Sequence, residues 1–225
     1  MPSREPPALE CPLCGTPGAE SHFREASREY WRCGICELVF LSPSQRLSRE
    51  DEIARYALHQ NSFGDPEYRK FLSRLAEPVI ERVRVGSSGL DYGCGQAPVL
   101  ALILSESGRP TAAYDPVFRP DEQLLEATYD FVTCSEVVEH VHDPHALLDR
   151  FARLVRSGGK LAIMTELNAA RVPFGEWWYR RDPTHVCFYG ESTMRWIARE
   201  RGWGLEMPAR NVTIFTAYGD GSKGS

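Results

Sequence analysis

Segments with the composition of β-strands alternate with helical segments through the second half of the chain. The first unit, GLDYGCGQAPVLALILSESG from residue 89, combines a short strand, a glycine-rich turn and a helix. Further units follow in the same order, up to a strand that ends near Glu166. This alternation predicts an α/β fold with a parallel sheet, in which ligands bind beyond the carboxyl ends of the strands.

The first turn has features of a nucleotide-binding loop. Gly93 and Gly95 let the backbone approach a ligand closely, and the start of the following helix offers free N–H groups. A dinucleotide fingerprint would have glycine where Pro98 stands, and Asp91 also departs from that fingerprint. Asp115 ends the next strand, twenty residues after Gly95, where a carboxylate can accept hydrogen bonds from both hydroxyls of a ribose.

Four segments, in this order, resemble the class I S-adenosylmethionine-dependent methyltransferases: LDYGCG, AYDP, YDFVTCSEVVEHVHDP and LVRSGGKLAIMTE. The resemblance implies a Rossmann-like sheet, S-adenosyl-L-methionine as cofactor and methyl transfer as the activity. It also implies the cofactor-binding residues, which are Asp91, Tyr92, Gly93, Cys94, Gly95, Asp115, Pro116, Cys134 and Ser135. A different Rossmann-like protein is the alternative, because such motifs are not specific when taken alone.

The chain departs from this family after the second strand. Only 13 residues separate Asp115 from Tyr129, where the family usually has a helix and a further strand. The intervening segment can hold one short helix at most. We therefore expect a trimmed sheet that lacks one strand-helix unit.

Four of the seven cysteines form two CxxC pairs near the N-terminus. Cys11 and Cys14 make the first pair, Cys33 and Cys36 the second, and 18 residues lie between the pairs. Two such knuckles supply four thiolates to a tetrahedral structural zinc, so the spacing predicts a zinc ribbon over residues 1–43. Redox-active dithiols or a pair of disulfides are the alternative, and a cytosolic location disfavours disulfides.

Helical patterns connect the ribbon to the predicted sheet. Ser48 and the pair Asp65-Pro66 have the features of helix starts. We assign residues 44–85 to a helical connector that covers the cofactor. Residues 86–218 form the S-adenosylmethionine-binding domain, and residues 219–225 form a flexible tail.

An acidic and histidine-containing segment follows the third strand. In a helix that begins after Ser135, Glu136, Glu139 and His140 would share one face, because they stand at i, i+3 and i+4. Two carboxylates and an imidazole there can hold a divalent cation, with His185 as a candidate fourth ligand. Manganese, iron and zinc fit this set at least as well as magnesium.

This arrangement resembles two groups within the family, the small-RNA 3′-terminal 2′-O-methyltransferases and the ubiquinone-pathway O-methyltransferases. The resemblance implies that Glu136, Glu139, His140 and His185 bind a metal, and that the acceptor carries neighbouring hydroxyls. Glu136, His140 and His185 would then be catalytic. In the alternative, Glu136 is a base, Glu139 is a surface charge and His140 serves only the structure.

An aromatic and basic stretch, EWWYRRDPTHVCFYG at residues 176–190, contains His185. Aromatic rings suit a planar or sugar acceptor, and a pair of arginines suits a phosphate or carboxylate. The candidate substrate contacts are therefore Trp178, Tyr179, Arg180 and Arg181. Packing of the rings over the core is the alternative. A turn at Asp182-Pro183 and an extended segment after it would direct His185 toward the acidic cluster.

The composition limits the classes of molecule that this protein is expected to bind. A net charge of −5 disfavours a nucleic-acid binder, which usually has a basic face. The sequence has no signal-peptide pattern and no apolar run of about 18 residues, so we expect a cytoplasmic protein without a membrane partner. These features favour metal-assisted O-methylation of a small molecule. An RNA methyltransferase, which the zinc module suggests, and a non-catalytic cofactor-binding protein are the alternatives.

Overall fold

The computed structural model describes residues 9–58, 62–168 and 172–218. Within these ranges the chain forms two β-sheets flanked by helices. The predicted tail at 219–225 and the first eight residues of the predicted ribbon lie outside the described residues. No helix in the described ranges is both long and apolar enough to cross a membrane.

The smaller sheet combines the N-terminal strands with a strand from much later in the chain. β1 (Glu20–Glu25), β2 (Arg28–Arg32) and β3 (Val39–Leu41) form an antiparallel meander, and β8 (Cys187–Phe188) pairs with β3. β3 is buried along its whole length because it lies between β2 and β8. The extended segment predicted after His185 is therefore an edge strand of the ribbon sheet.

The larger sheet has six strands. They are β4 (Gly89–Tyr92), β5 (Thr111–Tyr114), β6 (Tyr129–Ser135), β7 (Val155–Met164), β9 (Gly204–Ala209) and β10 (Val212–Thr216). Their order is β5-β4-β6-β7-β10-β9, and the first four run parallel. β10 runs antiparallel to both of its neighbours.

The trimmed sheet is confirmed. Between β5 and β6 the chain forms a single 3-10 turn at Glu122–Leu125, capped by the Asp121 side chain. β5 therefore stays at the edge of the sheet, where the family usually has a further strand. The fold is an α/β, Rossmann-like sheet with one strand-helix unit fewer than the resemblance implies.

Helices cover both faces of the large sheet. They are α1 (Arg49–Tyr56), α2 (Pro66–Arg82), α3 (Val99–Glu106), α4 (Pro144–Leu154) and α5 (Glu191–Arg201). Alternation along β7 separates the faces. Ala162 and Met164 belong to the apolar cluster with α2 and α3, whereas Leu161 and Ile163 belong to the cluster with α4.

The side chains of Ser48 and Asp65 cap α1 and α2, as predicted. Ser48 Oγ accepts from the N–H of Asp51, and Asp65 Oδ1 accepts from the N–H groups of Glu67 and Tyr68. The predicted connector thus contains two well-started helices. The domain limits at residues 43 and 85 stay predictions.

The ribbon shares its apolar core with the large domain. Tyr30, Phe40 and Leu41 of the ribbon belong to the same buried cluster as Phe174 and Phe188. The rings of Tyr30 and Phe174 have centroids 4.9 Å apart, and those of Tyr30 and Phe188 are 5.7 Å apart. A module this small buries little apolar surface alone, so this shared packing adds to its stability.

Candidate active site

A cavity of about 490 Å³ lies beyond the carboxyl ends of β4, β5 and β6, where ligands bind in parallel sheets. Its volume suits a small-molecule ligand. Twelve of the predicted site residues line it: Tyr92, Gly93, Gly95, Asp115, Pro116, Ser135, Glu136, Glu139, His140, Trp178, Tyr179 and His185. The structure therefore brings the predicted cofactor loop and the predicted acidic and histidine cluster into one place.

The turn between β4 and α3 forms one wall of the cavity. Gly93 and Gly95 have φ values of +78° and +65°, in the left-handed region that favours glycine. A Cβ atom on Gly93 would lie 2.4 Å from Cγ2 of Val137. Glycine at position 93 thus permits both the turn and its close approach to the segment after β6.

The Asp115 carboxylate ties the two cofactor loops together. Its Oδ2 accepts from the N–H of Gly95 at 2.9 Å, and its Oδ1 accepts from Val117 at 2.8 Å and Phe118 at 2.9 Å. A carboxylate has about four acceptor positions, so at least one stays free. Asp115 can therefore both hold its loop and accept a hydrogen bond from a ribose.

Three predicted cofactor contacts, Asp91, Cys94 and Cys134, do not line the cavity. Asp91 accepts a hydrogen bond from Thr133 Oγ1 at 2.9 Å inside the sheet, and Cys134 is fully buried in the core. Burial raises the pKa of Asp91 to about 7 and raises the pKa of the Cys94 thiol to about 12. Side chains alternate between the faces of a strand, so Asp91 and Cys134 point away from the cavity that Tyr92 and Ser135 line.

Glu139, His140 and His185 have potential ligand atoms that all lie within 4.8 Å of one another. Nδ1 of His140 lies 3.2 Å from the carbonyl oxygen of Thr184, and Nδ1 of His185 lies 2.7 Å from that of Tyr179. A carbonyl oxygen only accepts, so each Nδ1 donates, and in the neutral form of each ring Nε2 has the lone pair that a metal needs. In metal-binding histidines, the ring nitrogen that does not bind the metal typically donates to a carbonyl in this way.

Glu136 does not share a helical face with this group. Its φ is +52°, and the short 3-10 helix begins two residues later, at Val138–His140. The predicted helix directly after Ser135 is therefore wrong, and Glu136 lies outside the three-residue group. It still lines the cavity, and burial together with the charge of Glu139 raises the pKa of Glu136 to about 8. Metal binding by Glu136 stays a prediction.

Hydroxyl groups surround the fully buried carboxylate of Glu139. The Tyr179 hydroxyl lies 2.5 Å from Glu139 Oε1 and 3.1 Å from Glu136 Oε2, and Thr165 donates to Glu139 Oε2 at 2.9 Å. Burial raises the pKa of Tyr179, so the phenol keeps its proton, and burial lowers the pKa of His185. Neutral donors satisfy hydrogen bonds without supplying a full countercharge, so the site suits a cation.

Two of the four predicted substrate contacts lie elsewhere. Arg180 is buried, its Nη1 pairs with Glu25 of β1 at 2.5 Å, and its Nε donates to the carbonyl of Phe174 at 3.0 Å. Arg181 is exposed and does not line the cavity. The structure therefore does not place this pair of arginines in the cavity, and their contact with a phosphate or carboxylate stays a prediction. Trp178 and Tyr179, the other two candidates, do line the cavity.

The connector helices add residues that the sequence interpretation missed. Tyr56 at the end of α1, and Tyr68 and Phe71 in α2, line the cavity together with Asp182. Tyr68 and Phe71 stand at i and i+3 of one helix, a spacing that could have marked them as neighbours. Both connector helices thus contribute to the lining of the cavity, and covering of the cofactor by the connector stays a prediction.

The lining of the cavity is acidic and aromatic. Its carboxylates are Asp115, Glu136, Glu139 and Asp182, and the described lining contains no Lys or Arg. Carboxylates and aromatic faces both attract cations. S-adenosyl-L-methionine carries a positive sulfonium and a positive ammonium group, so the charge of the cavity suits this cofactor.

The ribbon cysteines form a second group with metal-ligand geometry. The sulfur atoms of Cys11, Cys14, Cys33 and Cys36 lie within 4.8 Å of one another, and those of Cys11–Cys36 and Cys14–Cys33 are 3.4 Å apart. A tetrahedral zinc with Zn–S bonds of about 2.3 Å places its sulfurs about 3.8 Å apart. The group therefore fits a structural zinc.

The fold and the site define a class I S-adenosylmethionine-dependent methyltransferase, as the resemblance implies. A family model described as a methyltransferase domain matches residues 59–206, and the protein belongs to this methyltransferase family. The ribbon strands β1 to β3 precede the matched residues.

Curated relatives match shorter stretches. The ubiquinone biosynthesis O-methyltransferase of Sodalis glossinidius is 36% identical over 78 residues, which are 35% of this chain and 31% of the relative. The enzyme of the same name from Xylella fastidiosa (strain M23) is 29% identical over 147 residues, 52% of this chain and 59% of the relative. The chain thus spans about a third to three fifths of these relatives.

A solved structure shows the same fold. Magnesium protoporphyrin IX methyltransferase from Synechocystis PCC 6803, with bound SAH, has a TM-score of 0.52 at 14% identity. The similarity covers 76% of this chain and 95% of that one. It therefore extends over nearly the whole of that chain.

Proposed function

We propose that the protein transfers the methyl group of S-adenosyl-L-methionine to a hydroxyl oxygen of a small molecule with two neighbouring hydroxyls. The observation that carries this proposal is the group of Glu139, His140 and His185 in the same cavity as the glycine turn. One carboxylate and two imidazoles suit manganese, iron or zinc. The similarity to ubiquinone biosynthesis O-methyltransferases supports oxygen as the acceptor atom.

The chemistry requires an activated oxygen. A divalent cation at Glu139, His140 and His185 would supply Lewis acidity, which lowers the pKa of a hydroxyl. The oxygen forms a bond to the methyl carbon while the bond between that carbon and sulfur breaks, which leaves the thioether product. Glu136, in the cavity but outside the ligand group, is our candidate to accept the hydroxyl proton.

The remaining residues position the two reactants. The glycine turn and Asp115 hold the cofactor, and the rings of Tyr56, Tyr68 and Trp178 pack against the acceptor. Alignment of reacting groups is a large part of such catalysis. Because the described lining is acidic, we propose an uncharged acceptor in preference to RNA, whose phosphates the carboxylates would repel.

Calorimetry tests the cofactor and the metal separately. We expect the zinc-loaded protein to bind S-adenosyl-L-methionine, and to bind one Mn²⁺ in addition to zinc. Glu139→Gln should lose Mn²⁺. Glu136→Gln, the matched carboxylate in the same cavity, should keep Mn²⁺ if Glu136 accepts the proton, and should lose it if Glu136 is a fourth ligand. Equal Mn²⁺ binding by wild type and Glu139→Gln would show that the ligand assignment is wrong, and absent cofactor binding would refute the methyltransferase function.

A panel of acceptors tests the substrate class. Aromatic compounds with two adjacent hydroxyls should be methylated, and the matched compounds with one hydroxyl should react at least about 100-fold more slowly, since they lose the second contact. Mass spectrometry of the products identifies the methylated atom. Equal rates for both series would contradict the proposed chelation.

A further inference from the structure

We infer that the N-terminal ribbon is a positioning element of the active site, which acts through Arg28 on the chain between Tyr179 and His185. We call residues 179–188 the site segment. The inference rests on the proposed function, because that function gives His185 and Tyr179 their roles.

Main-chain pairing joins the ribbon directly to the site segment. Val39 and Phe40 of β3 pair with Phe188 and Cys187 of β8, and the N–H of Leu41 donates to the carbonyl of Val186 at 2.8 Å. Val186 is the residue next to His185. The ribbon sheet therefore continues up to a candidate ligand.

Arg28 reaches the other end of the site segment. Its Nη1 donates to the carbonyl of Arg180 at 3.2 Å, and its Nη2 donates to that of Pro183 at 3.4 Å. The Tyr30 hydroxyl also donates to the Arg180 carbonyl, at 3.4 Å. The planar fork of a guanidinium suits two acceptors at once. One ribbon side chain thus spans the turn that separates Tyr179 from His185.

The opposite side of the site segment contacts the ligand group. The N–H of Val186 donates to the carbonyl of Glu139 at 2.8 Å, and the Tyr179 hydroxyl lies 2.5 Å from the carboxylate of Glu139. The regular structure of the segment is short, with two residues in β8 and a 3-10 turn at Trp178–Arg181. The conformation of the site segment therefore depends on the elements that pack against it, and the ribbon is one of these elements.

Arg28→Gln in the full-length, zinc-loaded protein tests this inference. Arg32→Gln is the matched control, since Arg32 lies on the same strand and pairs with Glu37 of the ribbon at 2.6 Å. In Arg28→Gln we expect the ¹⁵N signals of the His185 ring to change from one tautomer to a mixture. Amide hydrogen exchange in the site segment should rise about 10-fold, and Mn²⁺ affinity should fall about 10- to 100-fold. Affinity for S-adenosylhomocysteine should stay within about 2-fold.

The outcomes separate this inference from the proposed function. If wild type binds no Mn²⁺ but Arg28→Gln still changes the His185 signals, the metal site is wrong and the positioning role stands. If Arg28→Gln and Arg32→Gln show the same His185 signals and exchange, the positioning role is wrong. If Arg28→Gln loses zinc, the same measurements are made on Arg28→Lys instead. Lysine keeps the positive charge and removes only the planar guanidinium that contacts two carbonyl groups.

Discussion

The two halves of the cavity are built in different ways. The cofactor half comes from the ends of adjacent parallel strands, where the N–H of Gly93 donates to Tyr114 and Asp115 accepts from Gly95. The other half, the metal half of our proposal, joins Glu139, on a short 3-10 turn, to His185, on a segment that pairs with the ribbon. The first half takes its geometry from the sheet and the second from contacts across the fold. We therefore expect a substitution in one half to impair the role of that half and to leave the role of the other half unchanged.

The largest effect should come from removing His185. His185→Ala should lower kcat by about 10²- to 10⁴-fold, the range for loss of a group that acts at the reacting atoms. Affinity for S-adenosylhomocysteine should stay within about 2-fold, because His185 is in the metal half. Steady-state kinetics and calorimetry measure the two effects.

His142→Ala is the matched control for this prediction. His142 pairs with Glu52 at 2.7 Å and lies outside the three-residue group. Its removal should change kcat by less than about 3-fold. Similar losses in both variants would show that His185 has no special role.

Gly93→Ala should damage the cofactor half instead. The new Cβ would combine a positive φ with a 2.4 Å contact to Val137, so the turn must move. We expect affinity for S-adenosylhomocysteine to fall about 100-fold, and the free energy of unfolding to fall by about 2 kcal/mol. Calorimetry and denaturation in urea measure the two quantities.

Gly158→Ala is the matched control, because it introduces backbone strain without a new side-chain contact. Gly158 has φ of +79°, and an added Cβ there meets no atom within 4 Å. This control should cost about 1 kcal/mol of stability through strain alone. It should leave cofactor affinity unchanged. If Gly93→Ala lowers affinity no more than Gly158→Ala does, the glycine turn does not contact the cofactor.

The same comparison explains what could be predicted from the sequence. The cofactor turn and the trimmed sheet depend on local patterns, such as Gly93 after a strand and the short interval between Asp115 and Tyr129. The sequence places Arg180 at the acceptor, because its partner Glu25 lies 155 residues earlier and no local pattern shows that pair. The sequence predicts a helix at Glu136, because no local pattern shows its positive φ, which runs against the preference of its residue type.

Asp91→Asn tests a group buried beneath the cofactor half. Burial raises the pKa of Asp91 from its ordinary value of 3.8 to about 7, so the folded state binds the proton more tightly than the unfolded state. The contribution of Asp91 to stability therefore falls as pH rises from about 4 to about 7. Asparagine keeps the acceptor for Thr133 and has no charge to bury.

We expect Asp91→Asn to be more stable than wild type by roughly 2 kcal/mol at pH 8, and the difference to shrink by about half at pH 5.5. Denaturation in urea at both pH values measures this. A difference that does not depend on pH would mean that Asp91 does not titrate in this range. Cofactor affinity should change by less than about 3-fold, because the side chain does not line the cavity.

The smallest effect should come from Arg181, the neighbour of a buried arginine. Arg180→Gln should lower the free energy of unfolding by about 1–3 kcal/mol, because carbonyl groups around Phe174 lose their buried donor. Arg181→Gln should change stability by less than about 0.5 kcal/mol and the acceptor KM by less than about 2-fold, since Arg181 is exposed outside the cavity. A several-fold rise in KM for Arg181→Gln would mean that the acceptor extends out of the cavity and carries an anionic group.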